Sequence, residues 1–397
     1  MNILLAVVVV LGIITLTQLI RVFELTKSLN GTKDNEVTDK ENNGIANGFM
    51  LYLIGLFSFF IWLVWAYGPF LLPEAASVHG EKIDLLMNFN WAIIITSFAI
   101  THILLFYFAF KYKRTKGVKA DFVTHNAKLE LVWTTVPAIV LAIVITYGIS
   151  TWNDIMTDEP EDALTIELFA KQFDWTARYA GEDGVLGKSN YRLISGTNPM
   201  GLVTLETIVE KLAELEKKKA KLELKLSNAE PNGTIAENTE EKIRKIDKHF
   251  AKVFAYQKEF EMDSNLFLTG HDDIPVKVEF HLPVNKPVKF FIRSRDVLHS
   301  VYMPHFRAQM NAVPGMLTSF YFTPNKTTDE MRNITKNPEF DYLLLCNKIC
   351  GAAHYNMQMN IIVESEEKYN AWLKEQPTFF AEEASVDKEL KEIVASN

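Results

Sequence analysis

The chain has 397 residues, a formal net charge of −8 and a mean hydropathy of +0.02. The acidic balance excludes a nucleic-acid partner, and two cysteines with no Cys-x-x-Cys-His run exclude a covalently attached haem. These averages look like those of a soluble protein, yet they hide a concentration of apolar residues at the front of the chain.

Four stretches are long enough to cross a bilayer, which takes roughly 20 apolar residues: 3–24, 48–72, 89–111 and 129–150. The first reads as a signal peptide or a retained helix. It lacks a basic n-region and an obvious small-x-small cleavage site, which favours the helix. Lys111, Lys113, Arg114, Lys116 and Lys119 crowd the loop after the third stretch, whereas Lys82 is alone between the second and third. By the positive-inside rule the crowded loop is cytoplasmic, and everything after the fourth stretch lies outside. That last stretch opens Glu130-Leu-Val-Trp133-Thr134-Thr-Val-Pro137. An ionisable residue at a helix entrance is either a snorkelling interfacial charge or part of a functional path.

From Leu164 the pattern turns to strands. The runs Leu164 to Tyr179, Val276 to Leu282, Val288 to Ser294, Met316 to Phe322, Tyr342 to Leu345 and Met359 to Val363 are rich in β-branched and aromatic residues. Several short strands separated by turn signals predict an all-β Greek-key sandwich. Between 202 and 263 this pattern gives way to a heptad-like seam. Leu205, Ile208, Leu212, Leu215, Leu222 and Leu226, interrupted by Lys219, are followed by Glu230-Pro231-Asn232-Gly233. Ile243, Ile246, Phe250, Val253 and Phe260 form a second seam. The pattern predicts an inserted antiparallel coiled-coil hairpin, serving either as a docking arm or as an insertion with no partner.

The chemistry is concentrated near the end. Cys346, Cys350, His354 and Met357 follow one another within twelve residues, and His299 lies upstream after Asp296. Two thiols, two imidazoles and a thioether select copper or zinc over hard cations. Two cysteines four apart can each bridge a pair of ions, with one histidine for each and Met357 as a weak outer ligand. A single blue copper needs one Cys, and structural zinc has no use for Met, so the stoichiometry points to a dinuclear copper electron-transfer centre. A disulfide in an oxidising compartment is the competing reading. His271, His281 and His305 have no sulfur or carboxylate at ligand spacing and read as structural or surface residues.

The set His299 with Cys346-Asn-Lys348-Ile-Cys350-Gly351-Ala-Ala-His354-Tyr-Asn-Met357 resembles the CuA loop of subunit II of haem–copper cytochrome c oxidases. The resemblance implies that Cys346 and Cys350 bridge two coppers. His299 and His354 would complete them as imidazoles, Met357 as thioether and Lys348 through its backbone carbonyl. The family usually carries Glu where Lys348 stands, and that carboxylate helps to bind Mg or Mn, so no such ion is expected here. The opening at Glu130 is similar to the family's Glu-x-x-Trp-Thr-x-x-Pro, which gives Glu130 a role near the cytoplasmic mouth of a proton-uptake path. Gln172-Phe173-Asp174-Trp175 with Tyr179 matches the aromatic strand usually written Gln-Trp-x-Trp; Phe173 occupies the position of the Trp at which electrons enter. Asp296 matches an acidic position that could dock a basic cytochrome.

The resemblance covers about 89–180 and 266–370 and implies a cupredoxin domain on a membrane anchor. Residues 89–152 would be the family's transmembrane hairpin, 1–72 two added helices, 162–201 with 264–370 the copper domain, 202–263 the hairpin insertion and 371–397 an acidic tail. It further implies a respiratory enzyme subunit in a bacterial inner membrane, multi-pass, with the copper domain in the periplasm. Its partners would be subunit I and other oxidase subunits, a c-type cytochrome, membrane lipid and another respiratory component at 202–263. Electrons would pass from the cytochrome through CuA to haem a of subunit I, for oxygen reduction coupled to proton pumping. A copper chaperone or a purely structural scaffold is the rival from another class.

Overall fold

A computed structural model describes residues 2–29, 37–156, 160–230, 233–262 and 269–380, which form two compact units. One unit comprises 1–72 with 89–140, the other 73–88 with 141–397.

The first unit is helical. It holds α1 (Asn2–Leu29), α2 (Asp39–Tyr67), most of α3 (Val78–Lys111) and the start of α4 (Ala127–Met156). Thr38 and Glu41 cap the start of α2 reciprocally, satisfying amides that the first turn leaves without partners. Aromatic side chains zip α2 to α3, with Phe57 and Phe60 each 5.7 Å from Phe98 and Tyr52 5.5 Å from Phe106. Asn42 and Asp39 bond to the backbone at Arg114 and Lys116, which puts the start of α2 beside the basic loop. Among the described residues three helices, Asp39–Phe70, Val78–Lys111 and Ala127–Met156, are long and apolar enough to cross a membrane. Their apolar side chains remain largely exposed, as a lipid-facing surface requires. The span expected at 3–24 lies in α1, whose first eight side chains fall outside the described residues.

The second unit is a sandwich of two five-stranded sheets. One has the order β3 (Ile274–Val276), β2 (Asp174–Tyr179), β1 (Leu164–Lys171), β5 (Val288–Ser294) and β8 (Thr318–Phe322). The other runs β4 (Glu279–Pro283), β10 (Gln358–Glu364), β9 (Tyr342–Cys346), β6 (His299–Met303) and β7 (Ala308–Ala312). Alternation along β5, where Val288, Phe290 and Ile292 are buried, turns one face of each sheet to a shared core. The helices α7 (Thr328–Thr335) and α8 (Glu366–Glu375) pack beside it, with Met331 and Tyr369 buried. Of the tail expected at 371–397, the first residues belong to α8 and Phe379 is buried, while residues 381–397 lie outside the described residues.

The outer ends of α3 and α4 are tied to the sandwich. Ala76 N donates to His305 O at 2.8 Å and Val78 N to Thr323 O at 3.0 Å. Arg307 grips Asp84 with two bonds of 2.8 Å, and Tyr321 Oη donates to Asp154 O at 3.1 Å.

Strand β2 ends at Tyr179 and β3 begins at Ile274. Between them stand α5 (Leu205–Ser227) and α6 (Thr234–Met262), packed against each other. Ile208, Leu212, Leu215 and Val253 are buried with Leu193 and Val203, so the insertion has its own small core. Lys219, which interrupts the apolar seam, pairs with Asp247 of α6 at 2.7 Å. The side chain of Phe260 lies outside the described residues. At the base, Gly201 has φ +69°, and a Cβ there would meet Asn190 O at 2.3 Å.

A buried ion cluster joins this base to the sheet. Arg178, fully buried, pairs with Glu167 of β1 and with Asp273, and donates to Gly187 O at 2.9 Å. Burial, opposed by the Arg178 charge, raises the Asp273 carboxyl to about 6. Arg178→Met would leave Asp273 buried without its guanidinium and Glu167 with Arg293 alone, and a loss of about 3–5 kcal/mol is expected. Thermal unfolding of the intact protein measures it; an unchanged melting temperature would mean that the cluster contributes no net stability.

Candidate metal centre

Strand pairing assembles the site. β6 pairs antiparallel with β9, setting Val301 opposite Cys346 and Tyr302 opposite Leu345. His299, the first residue of β6, therefore lies beside Cys346, the last of β9. The segment after Cys346 loops out and returns through a 3-10 turn at His354–Asn356, and Cys346 N closes it on Met357 O at 3.0 Å. Residues far apart in the chain are thus held by backbone at the end of one sheet.

The donor atoms converge. Cys346 Sγ is 3.8 Å from His299 Nδ1, 3.2 Å from Lys348 O and 3.9 Å from Cys350 Sγ. Cys350 Sγ is in turn 3.5 Å from His354 Nδ1 and 3.7 Å from Met357 Sδ. Each sulfur has one imidazole against it and a second donor of a different kind. A disulfide needs its sulfurs about 2.05 Å apart; these are free thiols. At a metal–thiolate bond of about 2.3 Å both sulfurs reach one and the same ion, since twice that length exceeds the 3.9 Å between them. His299, Cys346, Cys350 and Met357 are buried, while His354 is half-buried at the rim. Soft sulfur with imidazole, closed to water, fits copper. Burial first, and then the neighbouring Cys346, push the Cys350 thiol up to about 11, so a metal entering here displaces a proton.

The supporting contacts fix each ligand's aim. His299 Nε2 donates to Asp296 Oδ1 at 2.9 Å, which leaves Nδ1 as the atom facing sulfur. The other Asp296 oxygen accepts from Gln172 N at 2.8 Å, and the Gln172 side-chain amide donates to Cys350 O. Burial works against ionising Asp296, but the bonds from Gln172, His299 and Val297 outweigh it and hold the carboxyl below its ordinary range. Asp296, which matches an acidic docking position, stays exposed at the surface, and its carboxylate also orients a ligand. The signal was its spacing of three from His299, which the strand end converts into contact.

Phe173 lies over the loop. A Cβ on Gly351, at φ +143°, would come within 2.8 Å of the Phe173 ring and 2.9 Å of Gln172 Nε2. Trp175 is buried behind the site with its ring 6.2 Å from that of His299. Lys348 presents its carbonyl to Cys346 and exposes its side chain. The other histidines stand apart from the sulfurs: His281 bonds Glu364 at 2.6 Å and stacks on Trp372, His305 packs between Phe340 and Tyr342, and His271 stacks on Phe380. Glu130 is not among the gathered residues. It sits in the first turn of α4, in the helical unit, where Oε1 accepts from Asn126 N at 3.2 Å.

Comparison with known proteins agrees with this geometry. Residues 64–150 match the family described as cytochrome c oxidase subunit II, transmembrane domain, and residues 260–366 match its periplasmic domain. The alternative cytochrome c oxidase subunit 2 of Bradyrhizobium diazoefficiens is 31% identical over 333 residues, covering 83% of this chain and 91% of that one. Cytochrome c oxidase subunit 2 of Thermostichus vulcanus is 22% identical, covering 77% and 78%. The crystal structure of the periplasmic domain of subunit II from Bradyrhizobium japonicum aligns with a TM-score of 0.26 at 16% identity, covering 55% of this chain and 95% of that one. On the matched domains, the extent of the first relative and a donor set built for copper, the chain belongs to the cytochrome c oxidase subunit II family.

Proposed function

We propose that this subunit accepts electrons from a c-type cytochrome at a binuclear CuA centre and passes them to haem a of subunit I, where oxygen is reduced and protons are pumped. The observation that carries the reading is the convergence of two thiols, two imidazoles, one thioether and one carbonyl within 3.9 Å of the two sulfurs. Held by Cys346, Cys350, His299, His354, Met357 and the Lys348 carbonyl, copper would supply one-electron acceptance and release. What the chain contributes is rigidity: ligands on strand ends and in a loop closed by backbone change place little when the charge changes.

The protein surface fits two partners. Ile349 and Tyr355, 91% and 87% exposed, project from the copper loop as apolar contacts for another protein. Phe173, packed on Gly351 one residue from Cys350, offers a π-surface at the edge of the site in the position the family gives to Trp. With Lys348 in place of a carboxylate, Mg has no part in the reading. In the insertion, Arg192, Lys245, Lys248, His249 and Lys252 line a cleft that suits an acidic respiratory partner. Three membrane-capable helices and the basic loop after α3 fit a multi-pass protein of a bacterial inner membrane, with the copper domain on the periplasmic side. Glu130 would deliver protons at the cytoplasmic end of α4, a role that its bond to Asn126 leaves open for one carboxylate oxygen.

Cys346→Ser or Cys350→Ser should abolish the two-copper signal in electron paramagnetic resonance and all cytochrome c oxidation; activity surviving either change would favour the scaffold. Asp296→Asn should leave copper bound but weaken its retention against a chelator by about 10–100-fold, the usual effect of removing a ligand's orienting partner. Glu130→Gln should slow steady-state turnover with the copper spectrum unchanged, and normal turnover would assign Glu130 to helix capping alone.

A further inference from the structure

The helical pair carries a basic cleft of about 310 Å³, lined by Tyr191, Arg192, Lys245, Lys248, His249 and Lys252. Two segments build it. Residues 245, 248, 249 and 252 share one face of α6, since a helix returns to the same side every three or four residues. The other wall is the 3-10 turn Tyr191–Leu193, which is pinned to α6 at three points. His249 Nε2 donates to Arg192 O at 2.8 Å, Asn190 Nδ2 donates to Tyr256 Oη, and Leu193 is buried with Val253.

The charge of the cleft is not used up inside the protein. Lys245 pairs with Glu241 at 2.7 Å, but Arg192, Lys248 and Lys252 have no carboxylate partner among the described residues. The Arg192 guanidinium lies 4.4 Å from the centre of the Tyr191 ring, and Tyr191 is 69% exposed. A chain of net charge −8 thus gathers a row of uncompensated cations with an exposed Tyr–Arg pair at its edge.

From Lys245 to Lys252 the row runs about 10 Å along α6, at about 1.5 Å per residue. A single phosphate is too small to meet its whole length. Its intervals of three and four residues are those at which a second helix repeats a face. Tyrosine and arginine are also the residue types that anchor protein partners. We propose, on the reading that this cleft takes an acidic respiratory partner, that what docks is a helix of that partner, laid along α6. Its Asp or Glu side chains, three and four residues apart, face Lys245, Lys248 and Lys252, and its flank covers Tyr191 and Arg192.

The test uses the intact protein in detergent and a fluorescein-labelled peptide helix carrying Glu at intervals of three and four residues along one face. Fluorescence anisotropy should show binding that weakens as salt is added. A peptide of the same composition with its Glu residues scattered round the helix should bind about tenfold more weakly. Lys248→Glu combined with Lys252→Glu should weaken binding at least as much, and Tyr191→Ala by about tenfold. The copper spectrum should be the same in every variant, so failure of the docking and failure of the electron-transfer reading are told apart. Equal binding of the two peptides, or binding undiminished by the double charge reversal, would overturn the docked helix. Displacement by inorganic polyphosphate at lower concentration than by unlabelled peptide would overturn it in favour of a phosphate ligand. Tighter peptide binding after Glu382, Glu383, Asp387, Glu389 and Glu392 are replaced by their amides would overturn it in favour of the chain's own acidic segment.

Discussion

The register of β6 against β9 is the constraint on which the metal centre depends. Setting Val301 opposite Cys346 brings the first side chain of one strand beside the last of the other, and a slip of one residue would turn His299 to the opposite face of the sheet. That register is held by what lies beneath it, since Val301, Met303, Tyr342 and Leu344 are buried in the common core. Hydrophobic packing thus fixes the position of a polar site several residues away, and the closing bond from Cys346 N to Met357 O completes a frame in which the ligands have little freedom.

Around this frame runs a chain of hydrogen bonds that links the two sheets. Gln172 at the end of β1 reaches both the Asp296 carboxylate and the Cys350 carbonyl, while Asp296 holds His299. One residue of the first sheet therefore steadies both the imidazole and the loop of the second. The Arg178 cluster works differently. It is fully desolvated, joins β1 and β2 to the base of the insertion, and exchanges adaptability for a fixed attachment of the helical pair.

The insertion and the membrane anchor show how far periodicity carries. The seam from Ile208 to Leu215 was legible as an apolar stripe because a helix repeats its faces every 3–4 residues. Lys219 broke the stripe for a reason invisible along the chain, its partner Asp247 being 28 residues away. The part played by Leu193 and Val203 in the insertion's core was equally hidden, since neither belongs to a periodic run. The docking of 73–78 onto the sandwich rests on backbone bonds, which leave no mark on side-chain pattern.

The sequence by itself determined the chemistry and the kinds of element. Two cysteines, His354 and Met357 lie within one short loop, so their spacing is local information, and the apolar spans and alternating strands follow from periods that residues carry with them. Only the tertiary structure decided which neighbours complete the site. It joined His299 to Cys346 across 47 residues, set Asp296 against His299 and placed Phe173 on Gly351. Each of these depends on how strands and helices from distant parts of the chain pack, and packing is a property of the whole core rather than of any segment within it.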